Sequence, residues 1–459
     1  MNATNSNNIA SFKSPLGDLG VHSLKMVWAE RKSNSWILLE LIVIFTILWF
    51  CSGFMYEKGK QFFEPLGFDI NHTYLLRFDI RKNINIEDYP KDYDYPQDGL
   101  TIMDRIKKYP AIENACFSSN YSTPYQFSYR GRGILNDTTF YGCRYCEVTS
   151  EYFDVFKIKF QSGRPFDANE SLSKNYTVAA PEADNSFFKD DITSLKEIIN
   201  IELAPGEVWT DNVKEFLKKK TVSTVWKVTG VVNKIKRSEY YSYGRILFFP
   251  LSQSDLNPQN VDLCIRVKPQ ADKNFIATFR KEMNEQLKVG PFELASLTPL
   301  SESRSLFTQD TRAKIETIWV VILFLLVNVF LGIVGTFRFR ANARRGEIGL
   351  RCALGSSKKK IQQLLLGETF MILLIASIPA TILALNIQLY GIVSKLGISI
   401  LENTNMVENA ANSKHSTTLL NLITYLITFV MMFVIIWLGT WYPAQKASKI
   451  QPAEALHDE

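Results

Sequence analysis

Four stretches of the chain are almost uninterrupted runs of apolar residues, and the charged positions are gathered between them. The runs extend from Trp36 to Met55, Ile318 to Phe337, Leu364 to Tyr390 and Thr418 to Tyr442. Each holds about 20 residues or more, which at 1.5 Å rise per residue crosses a hydrocarbon core ~30 Å thick. Four transmembrane helices are therefore expected, over 36–55, 317–337, 364–390 and 418–441. Pro379 lies inside the third and is expected to bend it, for packing or for gating. The first run follows a long amphipathic stretch and has no small-residue cleavage site behind it, so it is expected to stay as an anchor.

The segment between the first two runs, 56–316, has a different pattern. Thr73 to Ile80 and Val222 to Val232 are rich in β-formers, while Leu100 to Lys108 and Ala271 to Leu287 have helical spacing with Lys and Glu on the exposed face. This predicts an α+β domain of ordinary polarity, large enough to bury its own core. Ahead of the first run, residues 1 to 16 are rich in Asn and Ser with no apolar period. Leu19, Leu24, Val27 and Trp28 then recur at helical spacing among Lys25, Arg31 and Lys32. Within a region 1–35, that spacing predicts an amphipathic helix at the inner face of a bilayer.

Charge orients these elements. The formal net charge is +6, and the excess sits in the N-terminal flank and in the short loop 338–363. That loop carries Arg338, Arg340, Arg344, Arg345, Arg351, Lys358, Lys359 and Lys360. A basic loop of this length is retained in the cytoplasm during insertion. Both termini are then cytoplasmic, including the tail 442–459, and the domain 56–316 and the loop 391–417 are external, which the resemblance given below makes periplasmic. Topology accounts for the basic excess, so no nucleic-acid partner is inferred; the partner that composition demands is the lipid bilayer.

The chemistry of catalysis is missing from the pattern. The phosphate cradle GxxxxGK[ST] does not occur, nor do HExxH or GxSxG, and His22, His72, His415 and His457 are scattered. No catalytic residue, cofactor or metal site is assigned; the lone CRYC around Cys143 and Cys146 has no second ligand pair. Cys116, Cys143, Cys146 and Cys264 share the outer compartment, where a disulfide among them, in one of three connectivities, competes with free buried thiols. Glu40 and Glu368 each lie about one turn inside an apolar run, close enough to an end to reach the interface. No charge falls at a midplane, where it would cost about 2.5 to 3.5 kcal/mol, which disfavours an ion-coupled carrier.

Several local sequences carry a family likeness. VTSEYFDVFKIKFQSGRPF (Val148 to Phe166), WKVTGVVNKIK (Trp226 to Lys236), EIGLRCALGSSKKKIQQLLLGE (Glu347 to Glu368) and YPAQKASKIQPAEAL (Tyr442 to Leu456) resemble, in this order along the chain, segments of the MacB and LolC type of ABC-transporter permease, the mechanotransmission class. The resemblance implies a MacB-like periplasmic domain inserted between helices 1 and 2 of a four-helix membrane protein in a bacterial inner membrane. It implies no enzymatic activity of its own: an ABC ATPase acts in trans and binds the ATP. A second copy of the chain or a related permease completes a dimer, and a membrane-fusion protein and outer-membrane channel are further partners. An alternative, from a signalling class, is an FtsX-like regulator of a periplasmic cell-wall hydrolase.

On this reading the ATPase-coupling residues are Arg344, Arg345, Glu347, Ile348, Gly349, Leu350, Arg351, Leu354 and Gly355, with Tyr442, Pro443 and Ala444 of the tail beside them. Glu347 and Arg351 stand four apart with the acid first, the favourable order for a helical pair. Gly355 followed by Ser356 and Ser357 reads as the cap of one helix and the start of another. In protein otherwise lacking cysteine, a membrane-impermeant thiol reagent should label a cysteine placed at Ser173 in intact spheroplasts, and one at Ser357 only after lysis. The reverse labelling would contradict the whole topology.

Overall fold

The computed structural model describes residues 31–85, 87, 89–120, 122–126, 131–136, 139–167, 176–180, 198–199, 223–224, 227–390 and 414–448. The amphipathic helix expected before residue 31, the expected loop up to residue 413 and the chain from residue 449 lie outside the described residues. The chain divides into two compact units, one of Gly59–Thr311 and one of Met1–Lys58 with Arg312–Glu459.

In chain order the elements are α1 (Arg31–Phe63), β1 (Thr73–Ile80), α2 (Tyr95–Lys107), β2 (Ile112–Ser119), β3 (Gly131–Asn136), β4 (Thr139–Val148), α3 (Tyr152–Val155), β5 (Phe160–Gly163), β6 (Tyr176–Ala180), β7 (Ile198–Ile199), β8 (Ser223–Thr224), β9 (Lys227–Val232), β10 (Ile246–Pro250), β11 (Val261–Val267), α4 (Phe275–Met283), β12 (Phe292–Pro299), α5 (Leu300–Ala343), α6 (Arg345–Ala353), α7 (Lys358–Leu389) and α8 (Lys414–Ala447). Helices α1, α5, α7 and α8 are long and apolar enough to cross a membrane.

The α+β unit is built on one ten-stranded sheet in the order β12-β1-β11-β2-β4-β10-β6-β9-β5, with β3 beside β4; β7 and β8 pair separately. Most neighbours are antiparallel, but β10 runs parallel to β4 and β6 parallel to β9. Strand alternation sends successive side chains to opposite faces, and here both faces are covered. Tyr74, Leu76 and Phe78 of β1 join the layer closed by Ile102 and Ile106 of α2 and Phe275 and Phe279 of α4. Leu75, between them, faces a second layer with Phe156, Val178 and Phe248. Helix α2 starts five residues before the expected Leu100, because Asp94 accepts from Gln97 N at 3.1 Å and Pro96 occupies its first turn.

The second layer also holds a charge. Arg266 is 1% exposed, and its guanidinium donates to Val155 O at 2.6 Å, Asp69 O at 2.7 Å and Asn71 O at 2.8 Å. Three carbonyls from two chain segments thus replace the water a buried guanidinium loses.

Around the membrane helices the core follows helical spacing. Leu41, Phe45 and Leu48 of α1 pack with Ile322, Val329 and Ile333 of α5 and with Ala376, Ala380 and Ala384 of α7. Small residues let the backbones approach, and hydroxyls are paired across the helices: Ser52 meets Thr428 at 2.7 Å and Ser377 meets Tyr425 at 3.3 Å. Trp319, Leu323, Phe324 and Leu331 of α5 remain exposed, as lipid contact requires. Pro379 lies within α7, which continues past it.

One expectation is corrected. Cys116, Cys146 and Cys264 are free and buried, so no disulfide joins them; the side chain of Cys143 lies outside the described residues. Cys116 stands opposite Cys264 across β2 and β11, in an apolar layer shared with Cys146. Burial pushes the thiols of Cys116 and Cys146 above their ordinary range, which suppresses the thiolate that disulfide exchange requires. These thiols fill space as small apolar side chains. All three should resist alkylation in the native protein at mildly alkaline pH and alkylate fully on unfolding without reductant. A bridged peptide containing any of them in non-reduced mass spectrometry would contradict this.

Candidate functional site

The corner between α5 and α7 is built around a buried carboxylate. Glu368 lies three turns into α7 and is 1% exposed. Its Oε1 is 3.3 Å from Arg340 Nη1 near the end of α5, and its Oε2 is 2.9 Å from Arg344 Nη1, just past that end. A carboxylate this deep is tolerable only when charged donors replace its water, and one guanidinium per oxygen supplies them. The arrangement pins the end of α5 and the start of α6 to the body of α7. It also places Arg344 inward, so that it orients the corner rather than forming its outer surface.

Helix α6 follows α5 with a break at Arg344 alone, where Ile348 N still donates to Arg344 O at 3.0 Å. On α6, Arg351 Nη2 reaches Glu347 Oε1 at 2.6 Å, the pair its i, i+4 spacing leads one to expect. The helix ends at Gly355, whose φ is +89°. Ser356 N then donates back to Arg351 O at 3.0 Å, the six-to-one bond of a Schellman cap. Two residues later Ser357, at φ −72° and ψ 149°, accepts from Lys360 N through its hydroxyl and starts α7. A Cβ at Gly355 would meet nothing within 4 Å, so the demand for glycine there is conformational rather than steric.

Beneath this corner Ile348 packs with Ala341, Ile361, Leu365, Ala444 and Ala447. The expected coupling residues therefore separate into two sets. Ile348, Gly349, Pro443 and Ala444 are buried. Glu347, Leu350, Leu354 and Gly355 are exposed, Leu354 at 79%; Arg345 and Arg351 are half-buried, and Tyr442 is exposed. Positions 347, 350, 351 and 354 lie on one helical face, so an acid and two leucines share an outward stripe followed by exposed Lys358, Lys359 and Lys360. Pro443 lies inside α8, which runs to Ala447, and Gln362 Nε2 donates to Ser448 Oγ at 3.1 Å. The segment from Tyr442 thus continues the helix and supports the corner from behind.

The sequence reading missed the role of Glu368 by giving it a path to the interface. The signal present was an acid inside an apolar run with several arginines upstream, but the pairing itself is tertiary. Removing one partner of a buried ion pair costs about 3–5 kcal/mol. Glu368→Ala should therefore lower the thermal midpoint of the detergent-purified protein by far more than Glu347→Ala, which loses a helix pair of about 0.2–0.5 kcal/mol. Equal shifts in the two variants would contradict the assignment.

Residues 319–452 match the model of the family described as FtsX-like permease C-terminal. No curated protein matches the chain. Among solved structures, the extracellular domain of the noncanonical ABC-type transporter YknZ from Gram-positive bacteria is similar at 12% identity, over 49% of this chain and 100% of that one, with a TM-score of 0.30. The periplasmic region of MacB from Actinobacillus actinomycetemcomitans is similar at 10% identity, over 53% of this chain and 97% of that one, with a TM-score of 0.31. The family match takes in most of α5, the whole corner and helices α7 and α8, and it is over these residues that the chain is similar to the C-terminal domain of the FtsX-like permeases.

Proposed function

We propose that the chain is the permease subunit of an ABC transporter, moved by a separate ATPase and working as a dimer with itself or a related chain. It transmits ATP-driven motion across the inner membrane to the α+β unit 59–311 on the periplasmic side, driving export or extraction of a peptide, a lipid or lipoprotein, or a drug. The observation that carries this reading is the corner itself. A short helix capped at Gly355, leading into a helix capped at Ser357 and anchored by a buried ion cluster, exposes Leu350 and Leu354 beside Glu347, within the part of the chain that matches the permease family. An exposed leucine pair at a cytoplasmic corner fits a protein partner better than solvent.

In this reading α6 docks on the ATPase and Ser357 passes the displacement into α7. The buried cluster makes α5 move with it, and the hydroxyl-paired bundle carries α1 along. No substrate need cross between the helices, because the work is delivered to the periplasmic unit. A regulator that switches a cell-wall hydrolase would use the same inner corner, and the FtsX-like match favours it as the second reading. Identification of the subunits that co-purify with the intact complex separates the two: a membrane-fusion protein supports export, and a wall hydrolase supports regulation.

Glu347→Lys should insert and fold normally, yet an inverted charge at a docked interface can cost several kcal/mol. Gly355→Val forces a β-branched residue into the left-handed region, a strain of about 1–3 kcal/mol at the joint. Both variants are expected to bind the ATPase poorly, or to bind it without stimulated turnover. Unchanged binding and turnover in both would leave the corner a topology signal and no more.

A further inference from the structure

Between β9 and β10 the chain forms a short hairpin closed by an antiparallel bridge from Lys236 to Tyr243. This hairpin holds both segments through which the α+β unit joins the membrane helices. On one side, the Lys236 ammonium is fully buried at the end of α1, where it donates to Gln61 O and pairs with the Glu64 carboxylate at 3.0 Å. A cation there satisfies carbonyls that the helix leaves open. Tyr243 Oη adds a bond to Pro65 O at 2.8 Å, and Lys236 N donates to Leu66 O at 2.9 Å.

On the other side the hairpin grips the first turns of α5. Glu239 is buried and ion-paired with Arg304, and its Oε1 accepts from Tyr125 Oη at 3.1 Å. Arg237 lies 5.2 Å from the ring centroid of Phe307, one turn further along α5. Helix α1 runs unbroken from Arg31 to this grip, and α5 runs unbroken from it to Ala343. One hairpin of the sheet thus meets both helices at their periplasmic ends.

The chemistry of the two contacts argues against plain packing. Buried ion pairs add little stability compared with apolar side chains of the same volume, but they hold direction. Glu239 Oε2 is buried with no hydrogen-bond partner among the described residues, a cost that a purely structural contact has no reason to bear. We propose that the hairpin 236–243 is the clasp that delivers movement of α1 and α5 to the sheet, with Lys236 and Glu239 as its positioning residues. This rests on the transmission reading above and names where in the periplasmic unit the motion arrives.

The test is hydrogen–deuterium exchange on the full chain purified with the ATPase that binds it, with and without a non-hydrolysable ATP analogue. In the unsubstituted complex the analogue should change exchange in both the 300–311 turns of α5 and strands β9 and β10. Glu239→Gln and Lys236→Met, judged folded by unchanged circular dichroism, should retain the change in α5 and reduce that in the strands about 5-fold, within the range that perturbing a coupling path produces. The charge exchange Glu239→Arg with Arg304→Glu should restore it. An undiminished strand response in folded variants, or a loss that the exchange does not restore, overturns the clasp while leaving the transmission reading in place. No response anywhere in the unsubstituted complex overturns both.

Discussion

Glu368 sits on a membrane helix almost wholly out of water, and two arginines, Arg340 near the end of α5 and Arg344 just past it, replace the water its carboxylate has lost. The demand is stringent because a buried ion that loses a partner keeps its full desolvation cost. It fixes three things together: the end of α5, the start of α6 and the depth of α7. Apolar packing of Ile348 against Ile361, Leu365 and Ala444 then completes the corner. Packing alone tolerates sliding by a fraction of a turn, whereas one guanidinium per carboxylate oxygen does not.

The outward stripe follows from that anchoring. With Arg344 and Ile348 turned inward, helical geometry leaves positions 347, 350, 351 and 354 facing out. The Schellman cap at Gly355 and the hydroxyl cap at Ser357 limit the linker between α6 and α7 to the four residues 354–357. Little slack is left in which a displacement could be lost. Where the end of α1 and the first turns of α5 meet the α+β unit the same device recurs: buried charges, Lys236 and Glu239, tie each helix to the hairpin between β9 and β10.

What could be read from the sequence was what depends on near neighbours. β1 was visible at its observed bounds because Thr73–Ile80 is rich in β-formers. The Glu347–Arg351 pair and the Gly355 and Ser357 caps were visible because each is set within five residues. Helix α4 was drawn too long, since Asn274 at φ +62° resets the chain before Phe275. The pairing of the charges that organise the interior was not visible. Arg266 lies between the apolar Ile265 and Val267 and Lys236 follows Ile235, with no acid adjacent to either, and only the carbonyls of Asn71 and Gln61, far away along the chain, explain how their charge is buried. The cysteines misled for a related reason: a shared compartment permits a bridge, but thiolate formation depends on a local environment that only folding creates.

Photo-crosslinking within native membranes tests most directly whether the ion cluster exists to present the outward stripe. A photoreactive residue at Leu354 should capture the ATPase and one at Ile348 should not, and Glu368→Gln should abolish capture from Leu354 in chains that still insert. Equal capture from Leu354 and Ile348, or capture from Leu354 that is indifferent to Glu368→Gln, would contradict it.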